Sequence, residues 1–153
     1  MVGAAYYVGT VDGELAVYLA VSSMNKGKSV EARACRLVTM PEWQGAGVGF
    51  RFLNYICELQ EHGSEYARLA GRKTTTLFHT SHPQLCQALR RDKRWRQLSG
   101  AMVGTNKKKS GASIRKAQSA KGNAMIGAGG GYGGHFRAVQ GFRYGGQKWL
   151  NAP

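Results

Sequence analysis

RLVTMPEWQGAGVGFRFLNYICELQEHG, residues 36–63, decides the fold of this chain. A β-rich stretch meets Pro41, passes through Gly45, Gly47 and Gly49, and enters an amphipathic run. Val48, Phe52, Leu53, Ile56, Cys57 and Leu59 recur at helical spacing, which predicts a helix over about 47–62. Gly63 suits its C-terminal cap, with His62 in the last turn. Glycines at the entry let the backbone take positive φ and approach a ligand closely. The first amides of a helix have no internal acceptor and sit at the positive end of its dipole. Strand, glycine turn and helix together make an anion site suited to a pyrophosphate. A dinucleotide fingerprint would need GxGxxG in a βαβ unit; here the spacing is GxGxG and a hairpin precedes it.

Working outward, Val11-Asp12-Gly13-Glu14 separates two β-rich runs, and Asp-Gly suits a tight hairpin turn. Strands are expected near 4–11, 14–22 and 30–40, the last ended by Pro41, which has no amide to donate. The β-branched run Thr74–Thr76 predicts a fourth strand over 67–79. A second helix opens at Ser81-His82-Pro83, with Thr80 or Ser81 as its cap. Its stripe is Leu85, Cys86 and Leu89, with Trp95 as a further candidate, and RRDKRWR at 90–96 reads as a solvated basic end. Residues 104–134, rich in Gly, Lys and Ser, read as a flexible or binding-ordered insertion. Residues 135–146 read as a closing strand, with 97–103 as its hairpin partner.

The 153 residues make one domain, and 42% hydrophobic residues suffice for a core. A formal charge of +14 exceeds what one anionic small ligand needs and points to a polyanionic partner. Cys35, Cys57 and Cys86 form no CxxC pair and no zinc spacing, so they read as small buried hydrophobes and no metal is expected. No signal peptide and no run of about 18 apolar residues is seen, so a cytoplasmic protein without membrane contact is expected.

The stretch 36–56 resembles the acetyl-CoA-binding motif of the GCN5-related N-acetyltransferase (GNAT) superfamily, with Gln44-Gly45-Ala46-Gly47-Val48-Gly49 as its signature and Pro41-Glu42-Trp43 as its lead-in. TSHPQLCQAL and the following Arg94-Trp95 resemble a branch attached to ABC-type ATPases and found in stand-alone proteins. The resemblance implies an α+β fold: a mixed, mostly antiparallel sheet with two main helices, lacking the family's usual first strand and two helices. It implies acetyl-CoA as co-substrate. The pyrophosphate would lie on the amides of Gln44 to Gly49, and the pantetheine arm on Val38, Thr39 and Met40, in a splay between the third and fourth strands. Phe50 and Arg51 would flank the diphosphate, and the Ser81–Leu85 helix start would pack beside the thioester. The family's tyrosine on the last helix has no match, since Arg90–Trp95 stands there.

Acetyl transfer to an amine needs an uncharged nucleophile, a polarised thioester and a proton route. His82, which reads either as a proton relay or as a capping or packing residue, and Ser81 are the first candidates; Glu31 reads either as a base or as a strand residue, and Tyr144 either as an acid or as a core aromatic. Arg90, Arg91 and Arg94 with Lys107, Lys108, Lys109, Arg115 and Lys116 read as a basic region for phosphates or as solvated charge. The function expected is acetyl-CoA-dependent N-acetylation of a macromolecule: a protein lysine, a nucleic-acid base or an aminoacyl group. The rival is a non-catalytic nucleic-acid-binding module or regulator. A homodimer is compatible with either.

Overall fold

A computed structural model describes residues 3–26, 29–101 and 138–150. The expected insertion at 104–134, with its lysines, lies outside the described residues. The chain opens with β1 (Ala4–Val11), β2 (Glu14–Lys26) and β3 (Ser29–Thr39). Asp12 and Gly13 take φ of 50° and 85°, the paired positive angles of a tight hairpin turn. After a 3-10 turn at Pro41–Trp43 comes α1 (Val48–His62), capped by Gly47 and Gly63, both left-handed. Then follow β4 (Thr76–Thr80), α2 (Pro83–Arg91), β5 (Trp95–Ala101), β6 (Val139–Tyr144) and the short α3 (Gly146–Leu150).

The described strands form one six-stranded sheet, ordered β1-β2-β3-β4-β6-β5. Only β3 and β4 run parallel, and they pair over just three positions, from Ala32 with Thr76 to Ala34 with Phe78. Beyond Phe78, β4 pairs only with β6, and Cys35–Thr39 continues alongside β2. The sheet therefore splays open toward the C-terminal ends of β3 and β4. Leu19, Val21, Ala34, Phe78 and Phe142 face the core, packed under Leu53, Ile56 and Cys57 of α1 and Cys86 and Leu89 of α2. Burial of side chains this size contributes about 1.5–3 kcal/mol each.

Two expectations are corrected. The fourth strand begins at Thr76, not residue 67, because a buried amide organises the preceding residues. Gln60, fully buried, accepts from Arg68 N–H at 3.0 Å and donates to Tyr7 Oη at 3.1 Å. Its own carbonyl accepts Thr74 N–H at 2.9 Å, so residues 64–72 fold into turns against the helix end. The stretch 90–96 is solvated only in part: Arg90, Arg91, Lys93 and Arg96 are exposed, but Arg94 and Trp95 are not. Trp95 is buried, starts β5, and donates Nε1–H to Asn54 Oδ1 at 2.7 Å. Arg94 is held by Asp92 at 2.8 Å and Glu58 at 3.0 Å.

Burial alone would raise the Asp92 carboxyl, but hydrogen bonds from Arg94 and Asn54 hold it below the usual carboxylate range. A depressed folded pKa stabilises above the unfolded value of about 4 and is lost as pH falls through the folded one. Asp92→Asn is therefore expected to cost about 1 kcal/mol at pH 7, since Arg94 is partly solvated. The gap from wild type should close below about pH 4 in urea midpoints measured across pH.

Candidate functional site

The turn before α1 is clamped at both ends. Met40 N–H donates to Ala16 O at 2.9 Å, and Trp43 N–H to Met40 O at 3.0 Å. The Gln44 side chain donates to Thr39 O at 3.0 Å. Gly45 and Gly47 take φ of 82° and 76°, and a Cβ on either would meet nothing within 4 Å. Their positive φ is what the turn requires of them, and the space above them is open. Gly49 is required for the opposite reason. A Cβ there would lie 2.4 Å from Thr39 Oγ1, so only a glycine lets the first turn of α1 rest on the end of β3.

The first helical bond runs from Arg51 N–H to Gly47 O at 3.0 Å, which leaves the amides of Val48, Gly49 and Phe50 ahead of any intrahelical acceptor. No acidic residue stands in that turn to neutralise the dipole. The turn opens onto a cleft of about 740 Å³ between the separated ends of β3 and β4. Its walls are Cys35–Thr39, Gly45 and Gly47–Phe50 on one side, and Phe78–Thr80, His82, Leu85 and Ala88 on the other.

Successive strand residues point to opposite faces. Because Val38 and Leu37, and likewise His79 and Phe78, all line the cleft, it passes through the sheet rather than indenting one face. The edge of Cys35–Thr39 facing it has no strand partner among the described residues, so an extended ligand can pair with its backbone as an added strand would. The volume is of the size that holds a cofactor-sized ligand. The donor set fits a diphosphate followed by a narrow chain.

The candidate residues fall into separate places. Val38, Thr39, Gln44, Gly45, Gly47, Val48, Gly49 and Phe50 line the cleft. Met40 and Ala46 belong to the same turn but not to the wall, and Arg51 lines a second hollow of about 320 Å³ beside Gly9 and Tyr55. His82 lines the cleft and caps α2, its Nδ1 accepting Leu85 N–H at 3.4 Å. The cap is thus His82 rather than Thr80 or Ser81, and Thr80 Oγ1 accepts His82 N–H at 3.1 Å. Ser81 is not among the cleft walls.

Glu31 is nearly buried, paired with Arg143 at 3.2 Å and accepting from Thr75 at 3.3 Å, away from the cleft. Tyr144 is buried against Trp95, its hydroxyl 3.2 Å from Glu58, and burial pushes its phenol up. Arg90 donates to Gln97 at 2.9 Å and to Gln140, while Arg91 is exposed. Lys107, Lys108, Lys109, Arg115 and Lys116 lie outside the described residues.

Sequence reasoning passed over His79. It stands on β4 in the cleft wall, opposite Gly141, where a Cβ would lie 2.9 Å from its Nε2. Burial, then the Arg33 guanidinium, pull its imidazole below the ordinary value. Only its alternation with Phe78 along a strand beside the cleft could have marked it. Cys35, expected buried, is half-exposed in the same wall with Ser22 Oγ 3.0 Å from its sulfur; Cys57 and Cys86 are buried. Among the described residues no cluster of metal-ligating side chains occurs, and no helix is long and apolar enough to cross a membrane.

No family model and no curated protein matches the chain. Solved structures do. An acetyltransferase of the GNAT family from Streptococcus pneumoniae superposes with a TM-score of 0.54 at 12% identity, over 92% of this chain and 66% of that one. A Bacillus subtilis acetyltransferase in complex with CoA gives 0.53 at 11% identity, over 92% of this chain and 76% of the other. The NatB acetyltransferase complex bound to CoA gives 0.51 at 9% identity, over 90% and 69%. The chain thus spans about two thirds to three quarters of the length of these structures. Its fold is that of the GNAT acetyltransferases, as the sequence led one to expect.

Gly49→Ala is expected to cost about 1–3 kcal/mol through overpacking against Thr39. Thr39→Ala removes the clashing oxygen and leaves the next atom at 3.7 Å. The double variant should therefore recover most of the loss in thermal melts, and independent, additive costs would contradict the contact.

Proposed function

We propose that this chain is an acetyl-CoA-dependent N-acetyltransferase acting on a macromolecular acceptor. One observation carries the reading: an open, glycine-lined helix N-terminus faces a slot that runs through the sheet. The pyrophosphate of acetyl-CoA lies on the amides of Val48, Gly49 and Phe50, and the pantetheine arm runs along Cys35–Thr39 toward His79 and His82. Relatives in fold that were solved with CoA bound support acetyl-CoA as the co-substrate.

In this reading His79 is the general base. Its lowered pKa keeps the imidazole neutral near pH 7, ready to take a proton from the acceptor ammonium. The freed amine attacks the thioester carbon. The tetrahedral oxyanion collapses, the carbon–sulfur bond breaks, and the CoA thiolate leaves. The excess proton still on the attacking nitrogen passes to that thiolate, and His82, whose Nδ1 accepts from Leu85 N–H, presents Nε2–H as a hydrogen-bond donor to the sulfur. Ser81, Glu31 and Tyr144 have no step here, because none of them lines the cleft. The net charge of +14 supports a polyanionic or polyanion-associated acceptor.

Gly47→Glu is expected to weaken acetyl-CoA binding about 100-fold in calorimetry, since it sets a carboxylate in the anion site. Unchanged affinity in a folded variant contradicts the cradle. Labelled acetyl-CoA incubated with cell extract, then digested separately with protease and nuclease, identifies the polymer that takes the label. CoA binding without any labelled product favours the non-catalytic module. Once an acceptor is in hand, His79→Ala should lower kcat by about 10²–10⁴ and abolish the acid limb of the pH profile. That limb lies below the ordinary histidine value of about 6.5. A His79→Ala profile that keeps the limb removes His79 as the base.

A further inference from the structure

The face of the sheet turned away from α1 and α2 is not covered by any described element over β1, β2 and β3. Register fixes which residues stand on it. Tyr6 lies opposite Ala20, Val8 opposite Tyr18, Tyr18 opposite Val38, and Ala20 opposite Arg36. Arg33 faces the same way, opposite Ser22. Tyr6 and Val8 are 53% and 58% exposed, far beyond what a strand packed on both sides allows. The rings of Tyr6 and Tyr18 stack, with centroids 6.0 Å apart and planes within 18° of parallel, and this stacked pair is the aromatic shelf of the face. Arg33 and Arg36 are exposed and make no ion pair among the described residues. The acid on this face, Glu31, is already joined to Arg143. Across the β3–β4 register Arg33 stands opposite Leu77, two residues before His79 in the wall of the slot.

The geometry points to a single-stranded nucleic acid as the occupant of this face, its bases stacked on the Tyr6–Tyr18 shelf and its phosphates on Arg33 and Arg36. Stacking on exposed aromatics beside cationic side chains is how sheets bind unpaired bases. A duplex keeps its base faces hidden. An acidic peptide would match the arginines but leave the ring faces without a planar partner. A second copy of this chain would bring like-charged arginines together. Charge complementarity runs past the described residues too, since 102–137, between β5 and β6, contains lysines and arginines and no acid. The acceptor class so named rests on the acyl-transfer reading for its chemistry, but the binding does not.

The test uses the full chain and a fluorescein-labelled oligothymidylate of about 20 nucleotides, followed by anisotropy at about 50 and 200 mM salt. Its duplex with oligoadenylate and a polyglutamate peptide serve as competitors, and CoA affinity is measured on every sample. Wild type should prefer the single strand. Tyr6→Ser with Tyr18→Ser should weaken it about tenfold or more, while Tyr6→Phe with Tyr18→Phe binds as wild type. Arg33→Ala with Arg36→Ala should lower the log–log salt slope by about 1.4. Equal affinity for duplex, an unaltered serine pair, or polyglutamate binding with the same sensitivity overturns the proposal. If the serine pair also loses CoA binding, Arg33→Ala alone decides, with a slope change of about 0.7, because its side chain is exposed and does not line the cleft. Oligonucleotide binding that follows the variants while wild type fails to bind CoA sinks the acyl-transfer reading and leaves this one standing.

Discussion

The separation of β3 from β4 is the constraint on which the site depends. A parallel pair normally zips along its length, yet here three register positions are followed by a gap. Gly49 at the start of α1 holds the end of β3 from one side, with room for no side chain against Thr39. On the other side, Leu77 to Thr80 of β4 keep their pairing with Arg143 to Gln140 of β6. Each strand is anchored to a different neighbour, so the gap persists without any ligand to prop it open. The backbone groups along Cys35–Thr39 then face solvent, where water or an extended ligand can satisfy them.

Gln60 and Asn54 show a second level of order beneath this. Both are amides buried on α1, and each ties the helix to elements distant in sequence. A buried amide left unpaired would cost about 1–3 kcal/mol, so each also specifies which loop lies where. Through Trp95 and Asp92, Asn54 sets the junction of α2 with β5. That junction fixes the far wall of the cleft, since α2 carries His82 and Leu85.

These amides also explain how much the sequence disclosed. The Asp12-Gly13 hairpin, the 3.6-residue period of α1 and the glycine entry were legible because each rests on local backbone chemistry. The β-branched Thr74–Thr76 misled about the start of β4, because Gln60 captures Thr74 N–H and holds that residue outside the ladder. Arg90–Arg96 read as solvated charge, since nothing local announces that Asp92 and Glu58 will meet Arg94 or that Asn54 will meet Trp95. The glycine turn that enters α1 was legible from its spacing. His79 was not, because its meaning comes from a gap between strands, a tertiary fact with no periodic trace.

The two histidines stand on elements that approach the slot differently, and this bears on how an acyltransferase of this shape would work. His82 caps the helix on the core side, near where the narrow arm of the co-substrate would end. His79 alternates outward on β4, onto the face that carries Arg33 and the tyrosines. In the acyl-transfer reading proposed above, the acceptor would meet His79 on one face of the slot, while the thioester arm would end near His82 on the other. The cationic field is divided likewise: Arg94 is held by two carboxylates on the helix side, whereas Arg33 and Arg36 make no ion pair among the described residues. A polyanion would therefore meet attraction mainly on the His79 side.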